Sequence, residues 1–250
     1  MKCTTIEEVI IQLEQIIQHS ILTNDPKGFF AVLYYKVTVR VRDGIRNKEF
    51  DHNDTMEKLD VCFANRYLEA YEQYKNNQTC SASWKVAFEA CAKNRSIVLQ
   101  HLLAGINAHI NLDLGIAVVE ACGQNPLASM QRNFFQINEV LSSMMEGVKS
   151  DIGRMAPAFK WLMPLAKKWD EKLMQFSIET AREAAWTFAG NLYQHAQRTH
   201  LINERDQVIK ALGFSLLNPG RTLSMLLATI RSLEFKPVAQ QLNILMNRKK

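Results

Sequence analysis

The chain has 250 residues, of which 47% are hydrophobic and 22% charged, and its formal net charge is +5. This composition is typical of a globular protein and excludes wholesale disorder. Because Lys and Arg are scattered and no RNP, zinc-finger or homeodomain pattern occurs, we expect no nucleic-acid partner.

The cysteines and the apolar segments indicate the cellular compartment of the protein. The five cysteines are irregularly spaced and form no Cys-x-x-Cys motif, which is typical of reduced cytosolic thiols. Acidic residues interrupt the apolar N-terminal segment "MKCTTIEEVIIQLEQ", so no signal peptide is predicted. No run reaches the ~18 consecutive apolar residues of a transmembrane helix. We therefore expect a soluble, cytoplasmic protein without a transmembrane segment.

Helical periodicity is clear from the first residues onward. "TIEEVIIQLEQIIQHSIL" has an apolar stripe, and Thr5 with Glu8 predicts a capping box at the start of the first helix. Asp25 as N-cap and Pro26 at the first helical position predict a second helix. Its stretch "KVTVRV" also alternates like a strand, but the three- and four-residue spacing over about four turns favours a helix.

Three further helices are predicted before the middle of the chain, and a sixth just beyond it. "HNDTMEKLDVCFANRYLEAYEQYKNN" predicts a third helix with Asp54 as its N-cap, and "SASWKVAFEACAKN" a shorter fourth. A fifth is predicted from about Ser96 to Cys122, where Gly123 and Pro126 end it. "FFQINEVLSSMMEGVKSDI" predicts the sixth.

The second half of the chain predicts one long helix and two short ones. Pro164 predicts a kink or a restart, and a long helix is predicted from there to about Arg198. "LNPG" at 217–220 predicts a loop before the closing helices "TLSMLLATIRSLE" and "PVAQQLNILM". We therefore predict an all-α fold, in which residues 1–250 form a single bundle of about eight to ten helices around a buried central helix.

The predicted central helix contains the stretch "HLLAGINAHINLDLGIA", which is apolar on every side at ~100° per residue. A helix of this kind is buried in the core of a helical protein. Its polar side chains must then find partners, because an unpaired buried polar group costs ~1–3 kcal/mol. These side chains are His101, Asn107, His109, Asn111 and Asp113.

Helical spacing sorts these polar residues into sets. His109 and Asp113 are neighbours on successive turns, and Asn107 and Asn111 pair on roughly the opposite face. His101 lies ~12 Å along the axis from His109, too far for both to ligate one metal ion. Three interpretations of the His109–Asp113 pair stay open: a structural hydrogen bond, a site for a divalent metal such as zinc, and an acid/base pair beside a pocket.

The stretch "LDVCFANRYLEAY" places Asp60, Asn65 and Arg66 among apolar residues. An arginine in such a place can clamp a carboxylate or phosphate, or simply pair with an acid of the protein. If the protein is an enzyme, Arg66 holds an anionic substrate group. His109 then acts as general base or metal ligand, and Asp113 orients it or shares the ion.

Two functions follow from these residues. The first is a metal-dependent hydrolase or another enzyme for a small molecule, whose ligand-binding residues are Asp60, Asn65, Asn107, Asn111 and His101. The alternative is a non-catalytic structural or interaction protein, in which the same residues form a saturated polar core. The two differ in whether His109 and Asp113 line a cavity that solvent can reach.

Two blocks, "KLDVCFANRYLEAY" and "HLLAGINAHINLDLGIA", together with "VRVRDGI", resemble a bacterial all-helical family catalogued only as a domain of unknown function. The resemblance covers most of the chain and implies no activity, cofactor or substrate. It implies that the following residues occupy motif positions: Asp60, Asn65, Arg66, His101, Asn107, His109, Asn111 and Asp113.

The His-x-x-x-Asp step after "LAG" is also similar to one step of the zinc-dependent phospholipase C and P1 nuclease fold, an all-α fold with His and Asp ligands. The chain departs from that pattern near Ala117, where a further histidine is expected, and it has no metal-binding amino-terminal Trp. The similarity implies a test for bound metal.

Overall fold

Ten helices and no strand make up the described part of the computed structural model, which comprises residues 2–93, 95–155, 178–234 and 236–246. The predicted all-α fold is therefore confirmed. The predicted kink at Pro164 and the first part of the helix after it lie outside the described residues. In chain order the helices are α1 (Ile6–Thr23), α2 (Gly28–Arg46), α3 (Asn53–Lys75), α4 (Ala82–Ala92), α5 (Val98–Cys122), α6 (Ala128–Met155), α7 (Ile178–Gln194), α8 (Arg198–Leu217), α9 (Arg221–Leu233) and α10 (Val238–Leu245).

The helix starts follow local hydrogen bonding, and two of the predicted starts are wrong. At α1 the capping box is present, with the Thr5 hydroxyl accepting from the Glu8 amide at 3.2 Å. At α2 the Asp25 carboxylate instead accepts from the amide of Lys27 at 2.9 Å, in a turn that precedes the helix. The N-cap of α3 is His52 rather than Asp54, because the helix already begins at Asn53.

The predicted long helix ends at Gln194, near its predicted end at about Arg198, and a break without glycine or proline at residues 195–197 separates it from α8, which was not predicted. Arg198 Nε donates to the carbonyl of Leu192 at 2.9 Å and so satisfies one acceptor in the last turn of α7. After the break α7 packs on the C-terminal half of α5, whereas α8 packs on its N-terminal half and on α4. The break is a product of tertiary packing, which overrides local helix propensity.

Helix α5 lies in the middle of the other helices, as predicted. Its N-terminal half packs against α2, α4 and α8, and its C-terminal half against α3 and α7. By length and composition it could cross a membrane, but 94% of its most apolar window is buried within the protein. Such burial is that of a core helix.

Gly105 on α5 allows α2 to approach closely, since a Cβ atom there would lie 2.5 Å from the ring of Phe30. We expect Gly105→Ala to lower the free energy of unfolding by about 1–3 kcal/mol through overpacking. Gly190→Ala on α7 is the matched control, because nothing lies within 4 Å of its added Cβ. That variant is expected to gain up to about 1 kcal/mol from helix propensity. Urea denaturation measures both, and equal effects of the two would contradict the packing argument.

Candidate functional site

A single π-helical turn, His109–Asp113, interrupts α5 at its most polar point. The Leu114 amide donates to the carbonyl of His109, five residues earlier, instead of four. The carbonyl of Asn111 accepts from Arg205 Nε of α8 at 3.0 Å. Single π turns within α-helices are frequent at functional sites.

His109 and Asp113 form a hydrogen-bonded pair, as their spacing predicts. His109 Nδ1 lies 3.1 Å from Asp113 Oδ2, and Trp84 Nε1 donates to the same oxygen at 2.7 Å. Because a carboxylate can only accept, Nδ1 carries the proton and Nε2 keeps a bare lone pair. Burial lowers the pKa of His109, while the bond to Asp113 opposes the shift. The imidazole is therefore neutral near pH 7.

Arg66 lies at the edge of the site, where its positive charge offsets part of the negative charge of the buried Asp113 carboxylate. Its Nε lies 3.7 Å from Asp113 Oδ1, and its Nη1 lies 3.9 Å from Glu120 Oε1. The Arg66 side chain is 27% exposed, whereas that of Asp113 is 2% exposed. The structure thus shows Arg66 beside two acids of the protein, and its role toward an anionic substrate stays a prediction.

Aromatic rings from three neighbouring helices enclose the imidazole of His109. The Phe63 ring is stacked on it, with centroids 3.5 Å apart and planes 7° apart. Sequence reasoning missed this enclosure because its members are far apart in the chain. One signal was available: Phe30 and Tyr34 on α2, like Phe63 and Tyr67 on α3, are aromatic pairs at four-residue spacing. The other rings, with their centroid distances to His109, are Tyr34 (4.5 Å), Phe30 (5.5 Å), Trp84 (6.0 Å) and Tyr67 (6.2 Å).

Several buried polar atoms around this pair have no hydrogen-bond partner among the described residues, and they include His109 Nε2, Arg66 Nε, Asp60 Oδ2 and the hydroxyls of Tyr34 and Tyr67. Burial raises the pKa of Asp60 to about 7, and the charge of Glu57 adds to the shift. Burial also raises the pKa of Tyr34, and the charges of Asp60 and Asp113 raise it further. Both carboxyl groups therefore act on the Tyr34 hydroxyl.

The three asparagines predicted to bind a ligand bond to the chain itself. Asn65 accepts from the amide of Cys3 at 2.8 Å and donates to its carbonyl at 2.9 Å. Asn107 donates to the carbonyl of Ile209 at 2.9 Å, and Asn111 donates to the side chain of Asn107 at 3.1 Å. These bonds join α3 to the N-terminal segment and α5 to α8. A ligand-binding role for the asparagines stays a prediction.

His101 lies in a separate environment from His109. Its Nδ1 is 3.5 Å from Cys91 Sγ, and its ring is stacked 6.0 Å from that of Phe29. Burial lowers the pKa of His101 to about 4, so this imidazole is neutral near pH 7.

Within residues 2–93, 95–155, 178–234 and 236–246, no group of three or more His, Cys, Asp or Glu side chains is placed to hold a metal ion. Asp113 Oδ2 already accepts from two donors, so His109 Nε2 is the nitrogen of the pair that remains for a metal. The predicted metal role of His109 and Asp113 stays a prediction. A groove of about 790 Å³ lies elsewhere, between α1 and α3, and includes Asn65 and Tyr71 but neither residue of the pair.

Comparison with known proteins identifies a family without an assigned activity. The family described as "Family of unknown function (DUF5995)" matches residues 6–219. Both motif blocks on which the first resemblance was based lie within this range, and that resemblance is confirmed. No curated protein and no solved structure matches the chain. The similarity to the zinc-dependent phospholipase C and P1 nuclease fold is not shown by these comparisons.

Proposed function

We infer the function of this chain, which belongs to the DUF5995 family, from its buried site, because that family's description names no activity. The protein is an enzyme that transfers a proton to or from a small molecule. His109 Nε2 is the general base, and Asp113 holds the imidazole in the required tautomer. One observation carries the proposal: Nε2 is buried and has no hydrogen-bond partner among the described residues, while Nδ1 is engaged with Asp113.

The surroundings of Asp113 support a role in orientation. Trp84 Nε1 fixes the carboxylate oxygen that also accepts from His109 Nδ1. Arg66 compensates part of the negative charge from the side nearer solvent. A proton taken up at Nε2 makes the ring an imidazolium, which the adjacent carboxylate stabilises. The group that accepts the proton is thus held in one orientation before a substrate arrives.

A substrate must pass the residues that cover His109, whose exposed fraction is 2%. Phe63 and Arg66, one turn apart on α3, both contact the pair and are both partly exposed. We propose that displacement of the Phe63 ring opens the site.

Truncating Phe63 is expected to expose His109 to solvent. Diethyl pyrocarbonate modifies unprotonated imidazole nitrogens, so peptide mass spectrometry can follow His109 against His200, whose side chain is 68% exposed. In the wild type we expect diethyl pyrocarbonate to modify His109 slowly. In Phe63→Ala we expect this modification to be several-fold faster. Phe135→Ala, a truncation on α6, is the control and should leave His109 protected. Equal rates of His109 modification in all three proteins would contradict the proposal that displacement of the Phe63 ring opens the site.

The general base is tested with p-nitrophenyl acetate, a small activated ester that reports a reactive imidazole. We expect His109→Gln to lower the rate of hydrolysis by about 10²–10⁴-fold, the usual contribution of a general base. His200→Gln is the control, since that ring is exposed and outside the site, so its loss should lower the rate by no more than the contribution of one free imidazole. Circular dichroism verifies that each variant folds. A folded His109→Gln protein as fast as the wild type would end the proposal.

The same assay tests whether the reaction requires a metal ion. If EDTA abolishes hydrolysis, zinc restores it, and the wild type retains zinc that His109→Gln does not, the site is a metal-dependent hydrolase. Activity that persists in EDTA assigns the reaction to the imidazole alone.

A second candidate function is a non-catalytic structural or interaction protein. The closure of the site favours it, since the exposed fractions of His109 and Asp113 are 2% and 1%. In that case His109→Gln changes the stability of the protein, and the wild type hydrolyses the ester no faster than this variant.

A further inference from the structure

Two donors accompany the proposed base, on the helices that face α5. The side chains of Asp60 and Tyr34 have exposed fractions of 7% and 4%. Neither Asp60 Oδ2 nor the Tyr34 hydroxyl has a hydrogen-bond partner in the described part of the chain. The Thr38 hydroxyl, on the next turn of α2, lies close enough to lower the pKa of Tyr34, and it too has no hydrogen-bond partner in that part of the chain. Buried polar atoms are normally satisfied, so this set points to a missing guest.

The contacts place Tyr34 beside His109, and the sequence places Asp60 one turn from a residue that is stacked on it. The Tyr34 ring stands edge-on to the imidazole, with centroids 4.5 Å apart. Asp60 lies one turn before Phe63 on α3, and Phe63 is stacked on the same imidazole. The charges of Asp60 and Asp113 both raise the pKa of Tyr34.

The protonation states make Asp60 and Tyr34 donors. Burial raises the pKa of Asp60 to about 7, so below that pH the group is a carboxylic acid. Tyr34 stays protonated throughout the neutral range because burial raises its pKa. When the environments of neighbouring groups push their pKa values apart in this way, one group can act as an acid and the other as a base. Here an acid and a phenol lie beside one unprotonated imidazole.

We propose that Asp60 and Tyr34 donate hydrogen bonds to the carbonyl oxygen of a substrate while His109 Nε2 removes a proton from the adjacent carbon. This inference rests on the proposed function and names its substrate class. The C–H electron pair becomes the C=C bond of an enolate, and the carbonyl π pair moves onto the oxygen. Returning the proton from Nε2 to carbon restores the ketone or yields its isomer. Donors aimed at a developing oxyanion are a strong source of rate enhancement.

The lining of the site specifies a neutral, flat substrate. Aromatic rings surround His109, and they favour aromatic or other apolar ring systems. The guanidinium of Arg66 lies beside Asp113 and Glu120, which offset its positive charge, so a neutral ligand adds no unpaired charge to the site. A small aromatic ketone such as acetophenone has both the carbonyl oxygen and the acidic C–H that the site requires.

The experiment measures exchange of the acetophenone methyl protons for deuterium in D₂O by proton NMR. We expect the wild type to accelerate exchange and His109→Gln to abolish the acceleration. Tyr34→Phe removes one donor to the oxyanion and should slow exchange by about 10²–10³-fold. Asp54→Asn, on the exposed side of α3, is the control and should exchange like the wild type.

The pH profile separates a donor from a structural residue. In the wild type the rate should fall above pH 7 as Asp60 ionises and stops donating. In Asp60→Asn this decline should vanish, because an amide donates at every pH. The titratable groups that act on Asp60 are Glu57 on its own helix and Tyr34 on α2.

Three outcomes would overturn the inference: no exchange in the wild type above that in His109→Gln, a Tyr34→Phe rate equal to the wild type, or an unchanged high-pH decline in Asp60→Asn. Failure here differs from failure of the proposed function. Ester hydrolysis that depends on His109 without ketone exchange leaves the general base in place and removes the carbonyl subsite. Loss of both reactions ends both proposals.

Discussion

Replacing Asp113 by alanine is expected to lower the free energy of unfolding by about 3–5 kcal/mol, the usual effect of breaking a buried pair by removing one member. The substitution strands two buried donors, Trp84 Nε1 and His109 Nδ1, which share one oxygen of this carboxylate. It also removes an acid that compensates the charge of Arg66. Urea denaturation followed by far-UV circular dichroism measures the loss.

Glu120→Ala is the matched control for this substitution. Glu120 lies 3.9 Å from the same guanidinium, but its side chain is 42% exposed. Exposed ion pairs contribute at most about 1 kcal/mol, so this variant should unfold nearly like the wild type. If Asp113→Ala also unfolds like the wild type, the hydrogen bonds from Trp84 and His109 to Asp113 do not stabilise the fold as argued above.

The local part of the site could be predicted from the sequence. Apolar residues on every side of α5 predicted its burial, and four-residue spacing predicted that His109 lies beside Asp113 and Asn107 beside Asn111, where the structure shows hydrogen bonds. These inferences succeeded because helix geometry alone fixes which side chains on consecutive turns can meet. The buried environment then requires that their polar atoms find partners.

The non-local part could not be predicted in this way. Trp84 reaches Asp113 from 29 residues away, and Asn107 reaches the carbonyl of Ile209 from 102 residues away. No single-helix periodicity encodes such contacts. The π turn was missed for a related reason, since a regular spacing of 3.6 residues was assumed throughout α5. Helix α8 was not predicted, and its packing on α4 and on the N-terminal half of α5 is likewise non-local.

The pH dependence of stability should identify Asp60 as a carboxyl group that is protonated in the folded protein. Burial raises its pKa from an ordinary 3.8 to about 7. Between these two values the unfolded chain loses a proton that the folded chain keeps, so the free energy of unfolding falls as the pH rises. For this shift the loss is of the order of 4 kcal/mol and is complete just above pH 7.

Other buried groups titrate in the same range, so the difference between variant and wild type is the quantity to measure. Burial lowers the pKa of His101 to about 4, and that of His109 is also lowered. These two histidines destabilise the fold as the pH falls below their ordinary 6.5, opposite in sign to Asp60. Glu234, whose pKa burial raises to about 7, has the same sign as Asp60.

Asp60→Asn removes the titration while preserving the shape of the side chain. Its free energy of unfolding should equal that of the wild type near pH 4 and exceed it by up to about 4 kcal/mol at pH 8. Asp54→Asn, exposed on the same helix, should show no difference that grows with pH. A constant offset for Asp60→Asn across this range would mean that Asp60 is ionised in the folded protein. In that state it accepts hydrogen bonds, and the carbonyl subsite would lose one of its two donors.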